Sequence, residues 1–221
     1  MNHIVSNLID IEKEIKSKVL VSSENNRIPE IIAVSKTFSI SDILPVINYG
    51  QLHFGENKVQ EAVEKWTDIK KDFKHIQLHM IGKIQSNKVK FIIPLFDYIH
   101  SLDSLKLAQK ISLEQDKFQK KLKIFIQINI GNEEQKSGID IKDIEVFYQK
   151  CVNELNLDII GLMCLPPKNI NSNESFLKMQ NLAKKIKVKE LSMGMSSDYI
   201  DAVESGATFL RIGSKIFGER A

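Results

Sequence analysis

Short apolar runs alternate along the chain with longer stretches in which apolar residues recur every three or four positions. The runs fall at 31–36, 51–56, 77–82 and 98–102, then at 123–129, 158–165, 190–195 and 209–213. Their length suits strands buried on both faces, as in parallel sheets. Between them Val59, Ala62, Val63 and Trp66 share a helix face, as do Ile144, Phe147, Tyr148, Cys151 and Leu155. Phe176, Met179, Leu182, Ala183 and Ile186 form another, and Ile4, Leu8, Ile11, Ile15 and Val19 stripe a helix ahead of the first strand. Start and stop residues agree with this pattern. Ser41 and Asp42 open a helix that Gly50 ends, and Asp198 opens one that Gly206 ends.

Regular β-α alternation demands parallel strands with right-handed crossovers. Eight such strands predict an α/β fold, a single (β/α)8 TIM barrel with an N-terminal helix. A barrel over 1–221 uses the whole length as one domain and leaves no room for a second.

Composition narrows the function classes. Hydrophobic content of 43% with 27% charge describes a soluble globular chain, not a disordered one. A net charge of +3 from 31 basic and 28 acidic residues makes no nucleic-acid footprint. The lysine-rich patches at 70–74, 117–123 and 184–189 hold few aromatics and read as solvated faces. The N-terminus lacks a signal-peptide pattern, and no apolar run approaches membrane-spanning length, so a cytoplasmic protein is expected. Cys151 and Cys164 are too few for a disulfide framework or a multi-cysteine zinc site.

Barrels gather the residues at their strand C-terminal ends at one mouth. Here that rule collects Lys36, Asn57, Lys83, Asp103, Asn129, Met163, Met195, Ser196, Arg211, Gly213 and Ser214, a set suited to an anionic ligand bearing a carbonyl. A strand-end lysine that loses water could attack such a carbonyl as the neutral amine, although Lys36 alone reads more simply as a solvent-facing strand end. The last two loops, 192–198 and 211–214, stand where barrels frequently bind phosphate. Glycines and serines there suit that role, but Gly194 and Gly213 serve tight turns equally well.

Other candidates are weaker. His75 and His79 lack the setting for a shared metal, and His53 reads as packing or bonding within its own strand. Met163 and Met193 read as core, and neither cysteine has a catalytic setting.

The ordered set Ala33-Val34-Ser35-Lys36-Thr37, Phe54-Gly55-Glu56-Asn57 with Gln60-Glu61, and His79-Met80-Ile81-Gly82 with Gln85-Ser86-Asn87-Lys88 continues downstream. There it adds Lys136-Ser137-Gly138, Gly161-Leu162-Met163, Leu191-Ser192-Met193-Gly194-Met195-Ser196, and Arg211-Ile212-Gly213 with Ile216-Phe217-Gly218. Together these resemble the pyridoxal phosphate homeostasis proteins, the YggS/PROSC family. The resemblance implies an alanine racemase N-terminal-domain-like barrel of PLP fold-type III, with pyridoxal 5′-phosphate (PLP) held as a Lys36 aldimine. It implies Arg211 facing the pyridine nitrogen, Ser192, Ser196, Gly213 and Ser214 as the phosphate cradle, and Asn57 beside the cofactor; Met195 is expected to touch it because it lies next to the phosphate loop. The family often has threonine where this chain has Ser214, and the hydroxyl is kept.

The expected function is carriage or buffering of PLP in vitamin B6 and amino-acid homeostasis, without catalysis. A low-activity PLP-dependent amino-acid racemase is the alternative, and a Schiff-base aldolase or phosphosugar enzyme ranks behind it. Expected partners are PLP and PLP-dependent acceptor enzymes, with no nucleic acid or membrane, and a monomer or weak dimer.

Overall fold

The computed structural model describes residues 2–22, 27–131, 137–167 and 171–219. Eight parallel strands close into a barrel in chain order: β1 (Glu30–Val34), β2 (His53–Glu56), β3 (Gln77–Met80), β4 (Tyr98–Leu102), β5 (Lys123–Ile128), β6 (Asp158–Cys164), β7 (Glu190–Met195) and β8 (Phe209–Ile212). β8 pairs back onto β1 and completes the ring. α1 (His3–Ser22) precedes β1. One main helix then follows each strand: α2 (Ile40–Tyr49), α3 (Val59–Asp72), α4 (Val89–Leu95), α5 (Leu105–Phe118), α6 (Ile144–Gln149), α7 (Ser172–Ile186), α8 (Tyr199–Glu204) and α9 (Ser214–Phe217). This is the single (β/α)8 barrel that the alternation predicts. Among the described residues no helix is long and apolar enough to cross a membrane.

Period-2 alternation in the strands sorts the side chains into two environments. Ile31, Ala33, Phe54, Leu78, Met80, Ile124, Ile126 and Ile128 point outward and form one apolar layer beneath the helices. Inside the barrel only a small apolar cluster forms, from Ile32, Tyr98, Phe125, Met163 and Phe209. His79, His100, Ser192 and Arg211 are also buried. So polar a buried set demands that every donor and acceptor find a partner.

The predicted stripe of α1 is buried at Ile4, Leu8, Ile11, Ile15 and Val19. Each such side chain contributes about 1.5–3 kcal/mol on burial. α1 lies against α2, α8 and α9. Asn7 Nδ2 donates to the Ile216 carbonyl at 3.0 Å, the Tyr199 hydroxyl donates to Glu14, and Lys215 Nζ stands 3.6 Å from Glu14.

Several boundaries differ from the expected ones by a residue or two, and two of the differences bear on the mouth. α2 begins at Ile40 with Ser39 as its N-cap, where Ser41 and Asp42 were expected to open it. Asp42 instead reaches back from the third helical position and accepts the Ser39 N–H at 3.1 Å. β1 ends at Val34, short of Lys36. The Ser35 N–H still donates to Gly55, but the Phe38 N–H folds back onto the Ser35 carbonyl, so Lys36 sits in a turn.

Candidate functional site

The C-terminal ends of the strands enclose a cavity of about 720 Å³. Lys36 reaches it after β1, Asn57 after β2, Lys83 after β3, and Gln127 and Asn129 at the end of β5. Met195 and Ser196 come from the end of β7, and Arg211, Gly213 and Ser214 from β8 and its loop. Three of the lining residues, Lys36, Lys83 and Arg211, are cations. Among the described residues no Asp, Glu, His, Tyr or Cys lines the cavity. The surroundings therefore favour an anion.

The turn bearing Lys36 is held from behind. Thr37 adopts a left-handed backbone (φ 69°), an uncommon state for a β-branched residue. Its N–H donates to Glu61 Oε1 at 2.6 Å. Lys65 Nζ bonds the Ser35 carbonyl at 2.9 Å and both Glu56 Oε1 and Glu61 Oε1 at 3.1 Å. Glu56 is buried, and its Oε1 also accepts from Ser35 Oγ at 2.7 Å and Trp66 Nε1 at 3.0 Å. Burial works to raise the Glu61 pKa, but the Thr37 amide and the Lys65 ammonium outweigh it and hold the carboxyl below its ordinary value.

Asn57 is set by a close backbone approach. A Cβ on Gly82 would lie 2.1 Å from the Asn57 carbonyl oxygen, so only glycine lets the two strand ends meet there. Asn57 Oδ1 is shut off from solvent and has no hydrogen-bond partner among the described residues.

Beneath the cavity, Arg211 commits two of its N–H groups inward. Nη1 donates to Ser192 Oγ at 2.7 Å and Nη2 to the Cys164 carbonyl at 2.8 Å. Burial pushes the guanidinium pKa down, from a starting point so high that the group keeps its charge. Ser192 Oγ also lies 2.8 Å from His100 Nδ1. His100 Nε2 is 2.8 Å from His79 Nδ1, and His79 Nε2 is 2.9 Å from His53 Nδ1. His53 thus bonds across to β3 and not, as expected, within its own strand.

At the ends of β7 and β8, Gly194 turns the chain with φ +87°, where an added Cβ would lie 2.6 Å from Ala202 Cβ. The N–H groups of Gly213 and Lys215 both converge on Ser196 Oγ at 3.3 Å, and the Met195 N–H donates to Asp198 at 2.7 Å. Ser196, Ser197, Gly213 and Ser214 share one wall of the cavity.

Of the residues expected to touch a cofactor, Lys36, Asn57, Met195, Ser196, Arg211, Gly213 and Ser214 line this one cavity. Ser192 does not. It is fully buried beneath Arg211, so here it supports the guanidinium instead of joining the anion wall. Of the wider mouth set, Lys83 and Asn129 line the cavity while Asp103 and Met163 do not. Met163 belongs to the interior cluster, and Leu165 takes the wall position above it. Lys136 of the resemblance motifs lies outside the described residues. Sequence reasoning missed Gln127, which lines the cavity and donates to the Ser137 carbonyl at 2.9 Å. Its signal was a polar residue at an inward position of an otherwise apolar strand. Among the described residues no group of three or more His, Cys, Asp or Glu is placed to hold a metal ion.

Comparisons with known proteins agree with this fold. Residues 15–221 match the family model "Alanine racemase, N-terminal domain". A "Pyridoxal phosphate homeostasis protein" from Haemophilus influenzae is 36% identical over 99% of this chain and 96% of its own. One from Pasteurella multocida is 34% identical over 98% and 97%. Among solved structures, PipY of Synechococcus elongatus with PLP bound superposes with a TM-score of 0.85 at 30% identity, covering 97% of this chain and all of that one. An alanine racemase from Clostridium difficile shares the fold (TM-score 0.73, 15% identity), with 57% of its length covered. The chain belongs to the pyridoxal phosphate homeostasis protein family, built on the alanine racemase N-terminal domain.

Proposed function

We propose that this protein holds pyridoxal 5′-phosphate at the C-terminal mouth of its barrel, through Lys36, and carries or buffers it without turning over a substrate. The observation that carries the reading is the make-up of the cavity. Two lysines, Lys36 and Lys83, share it with Arg211 and a serine–glycine wall, and no carboxylate lines it among the described residues. What the cofactor supplies when bound is an aldehyde that condenses reversibly with an amine and a ring that can act as an electron sink.

The residues present fit that group. Ser196, Ser197 and Ser214 offer hydroxyl donors to a phosphate on one wall of the cavity. The orphaned Asn57 Oδ1 awaits a polar partner that a bound molecule would bring. Arg211 keeps its charge and so disfavours protonation of a ring nitrogen beside it.

The same cavity argues against catalysis. Racemisation needs acid–base groups on both faces of a substrate carbon. Beside Lys36, the lining offers Lys83 but no His, Tyr, Cys, Asp or Glu among the described residues. The relatives named as homeostasis proteins support the same choice. PLP-dependent enzymes are the recipients this reading implies, in the cytoplasm, with the carrier a monomer or weak dimer.

Absorbance spectroscopy tests it. Purified protein mixed with PLP gains a visible band that survives desalting, and Lys36→Ala loses it. A protein that stays colourless overturns the proposal. Incubation with L-amino acids in deuterated water leaves the α-proton in place; its exchange would establish the racemase instead.

A further inference from the structure

His53, His79 and His100 stand on three successive strands and climb through the barrel. β2 and β3 pair Gly55 with His79, two residues beyond His53, and β3 and β4 pair His79 with Tyr98, two residues before His100. The stagger of the barrel therefore moves each imidazole two residues nearer the C-terminal mouth. The chain of contacts runs Arg211–Ser192–His100–His79–His53, with steps of 2.7 to 2.9 Å. It ends where His53 Nε2 lies 3.6 Å from Glu30 Oε2, at the first residue of β1 and the opposite end of the barrel.

Only one order of protons satisfies this chain. Arg211 has no acceptor, so Ser192 Oγ must accept from it. The Ser192 proton then goes to His100 Nδ1, which leaves His100 to donate from Nε2 to His79 Nδ1. His79 donates from Nε2 to His53 Nδ1, and His53 presents its own Nε2–H to the Glu30 carboxylate. In the reverse order Ser192 would face two donors, its own proton would have no acceptor among the described residues, and a bare His53 nitrogen would face Glu30. Unmet buried groups of that kind are costly. Tyr98 stacks on His79 with centroids 4.1 Å apart and Phe125 on His100 at 4.3 Å, which fixes the ring planes.

We propose that His53, His79 and His100 form a one-way relay of neutral, Nε2-protonated imidazoles, and that through Ser192 they are positioning residues for Arg211. The order of the protons follows from the chain alone; its effect on the cofactor rests on reading the mouth as a PLP site.

The test begins with long-range 1H–15N correlation spectra of histidine-labelled protein, without and with PLP, at neutral pH. His79 and His100 should both show a pyrrole-like Nε2 and a pyridine-like Nδ1. A Nδ1–H form, or a charged ring, at either residue overturns the relay. His53→Phe then keeps a ring against Tyr98 and Phe209 but removes the acceptor for His79, whereas His53→Asn restores one near the Nδ1 position. With His53→Phe the His79 tautomer loses its bias and the PLP dissociation constant rises on the order of fivefold, the scale of one lost hydrogen bond. His53→Asn returns both towards the parent values. Unchanged tautomers and affinity in His53→Phe overturn the positioning role. A parent protein that binds no PLP overturns the reading of the mouth, while the spectra still decide the relay.

Discussion

The backbone N–H of Thr37 donates to the Glu61 carboxylate at 2.6 Å, so the turn bearing Lys36 is fastened to α3 and not held by its own strand. Glu61→Gln should therefore lower stability at pH 7 by up to about 1.5 kcal/mol, the low end for hydrogen bonds to a charged group because the amide oxygen still accepts the Thr37 N–H, and speed PLP loss. The Glu61 pKa is held down, so the carboxylate's contribution is complete above its unfolded value near 4.3 and vanishes as pH falls through the folded one. Urea titrations should separate the two proteins at pH 7 and bring them together in acid.

Thr37 itself carries strain. A β-branched residue at φ 69° is held there by its surroundings. Thr37→Gly keeps the N–H that Glu61 needs and should raise stability by about 1 kcal/mol. For a chain of this size that is roughly 2–4 °C in melting temperature. Calorimetry on the two proteins checks the sign; a lower melting temperature would mean that the threonine side chain contributes more than its backbone loses.

Burial pushes His79 and His100 well below the ordinary imidazole value, and the neighbouring cationic groups, Arg211 at His100 among them, add to it. Unfolded, both titrate near pH 6.5. Below that pH the unfolded chain binds more protons than the folded one, so stability rises with pH until the unfolded rings are neutral. Unfolding free energy should be level above about pH 7 and fall by roughly 1.4 kcal/mol per histidine per pH unit below 6.5. Denaturation at stepped pH would contradict this if the profile stayed flat down to pH 5.

Burial also pushes the thiols of Cys151 and Cys164 up to about 12. Reactive cysteines need thiolate and access, and neither has them. Mass spectrometry after alkylation at pH 8 should find both unmodified in the folded protein and both modified in denaturant.

Gly82→Ala would drive a Cβ into the Asn57 carbonyl, which lies 2.1 Å from that position. The strand ends must part, and PLP retention should drop at least several-fold with a stability loss of about 1–3 kcal/mol. Equilibrium dialysis against PLP measures the first effect, and an unaltered affinity would show that Asn57 need not be held where it is.

The fold was legible because both signals it needs are local. A strand buried on both sides reads as a solid apolar run, and a covering helix shows a stripe, as at Ile4, Leu8, Ile11, Ile15 and Val19. That Lys36 and Arg211 would line one cavity was legible because barrels gather strand-end residues at one mouth. Ser192 was harder. Alternation puts it on the inner face, but only the stagger of β7 against its neighbours sets how deep it lies. The same stagger joins His53, His79 and His100, which are lone histidines in the sequence. Nothing local marks Thr37 for a left-handed backbone; that follows from Glu61 and Lys65, well over 20 residues away.

α1 packs against α8 and α9, and β1 closes against β8. The mouth therefore draws together segments far apart in the chain, with Lys36 made well before Arg211, Gly213 and Ser214. A ribosome-bound chain can stack its middle strands while this cavity has no far wall. Such long-range closure is slow and comes late in folding. A chain not yet made through β8 has the turn that bears Lys36 but lacks the Arg211 wall that faces it.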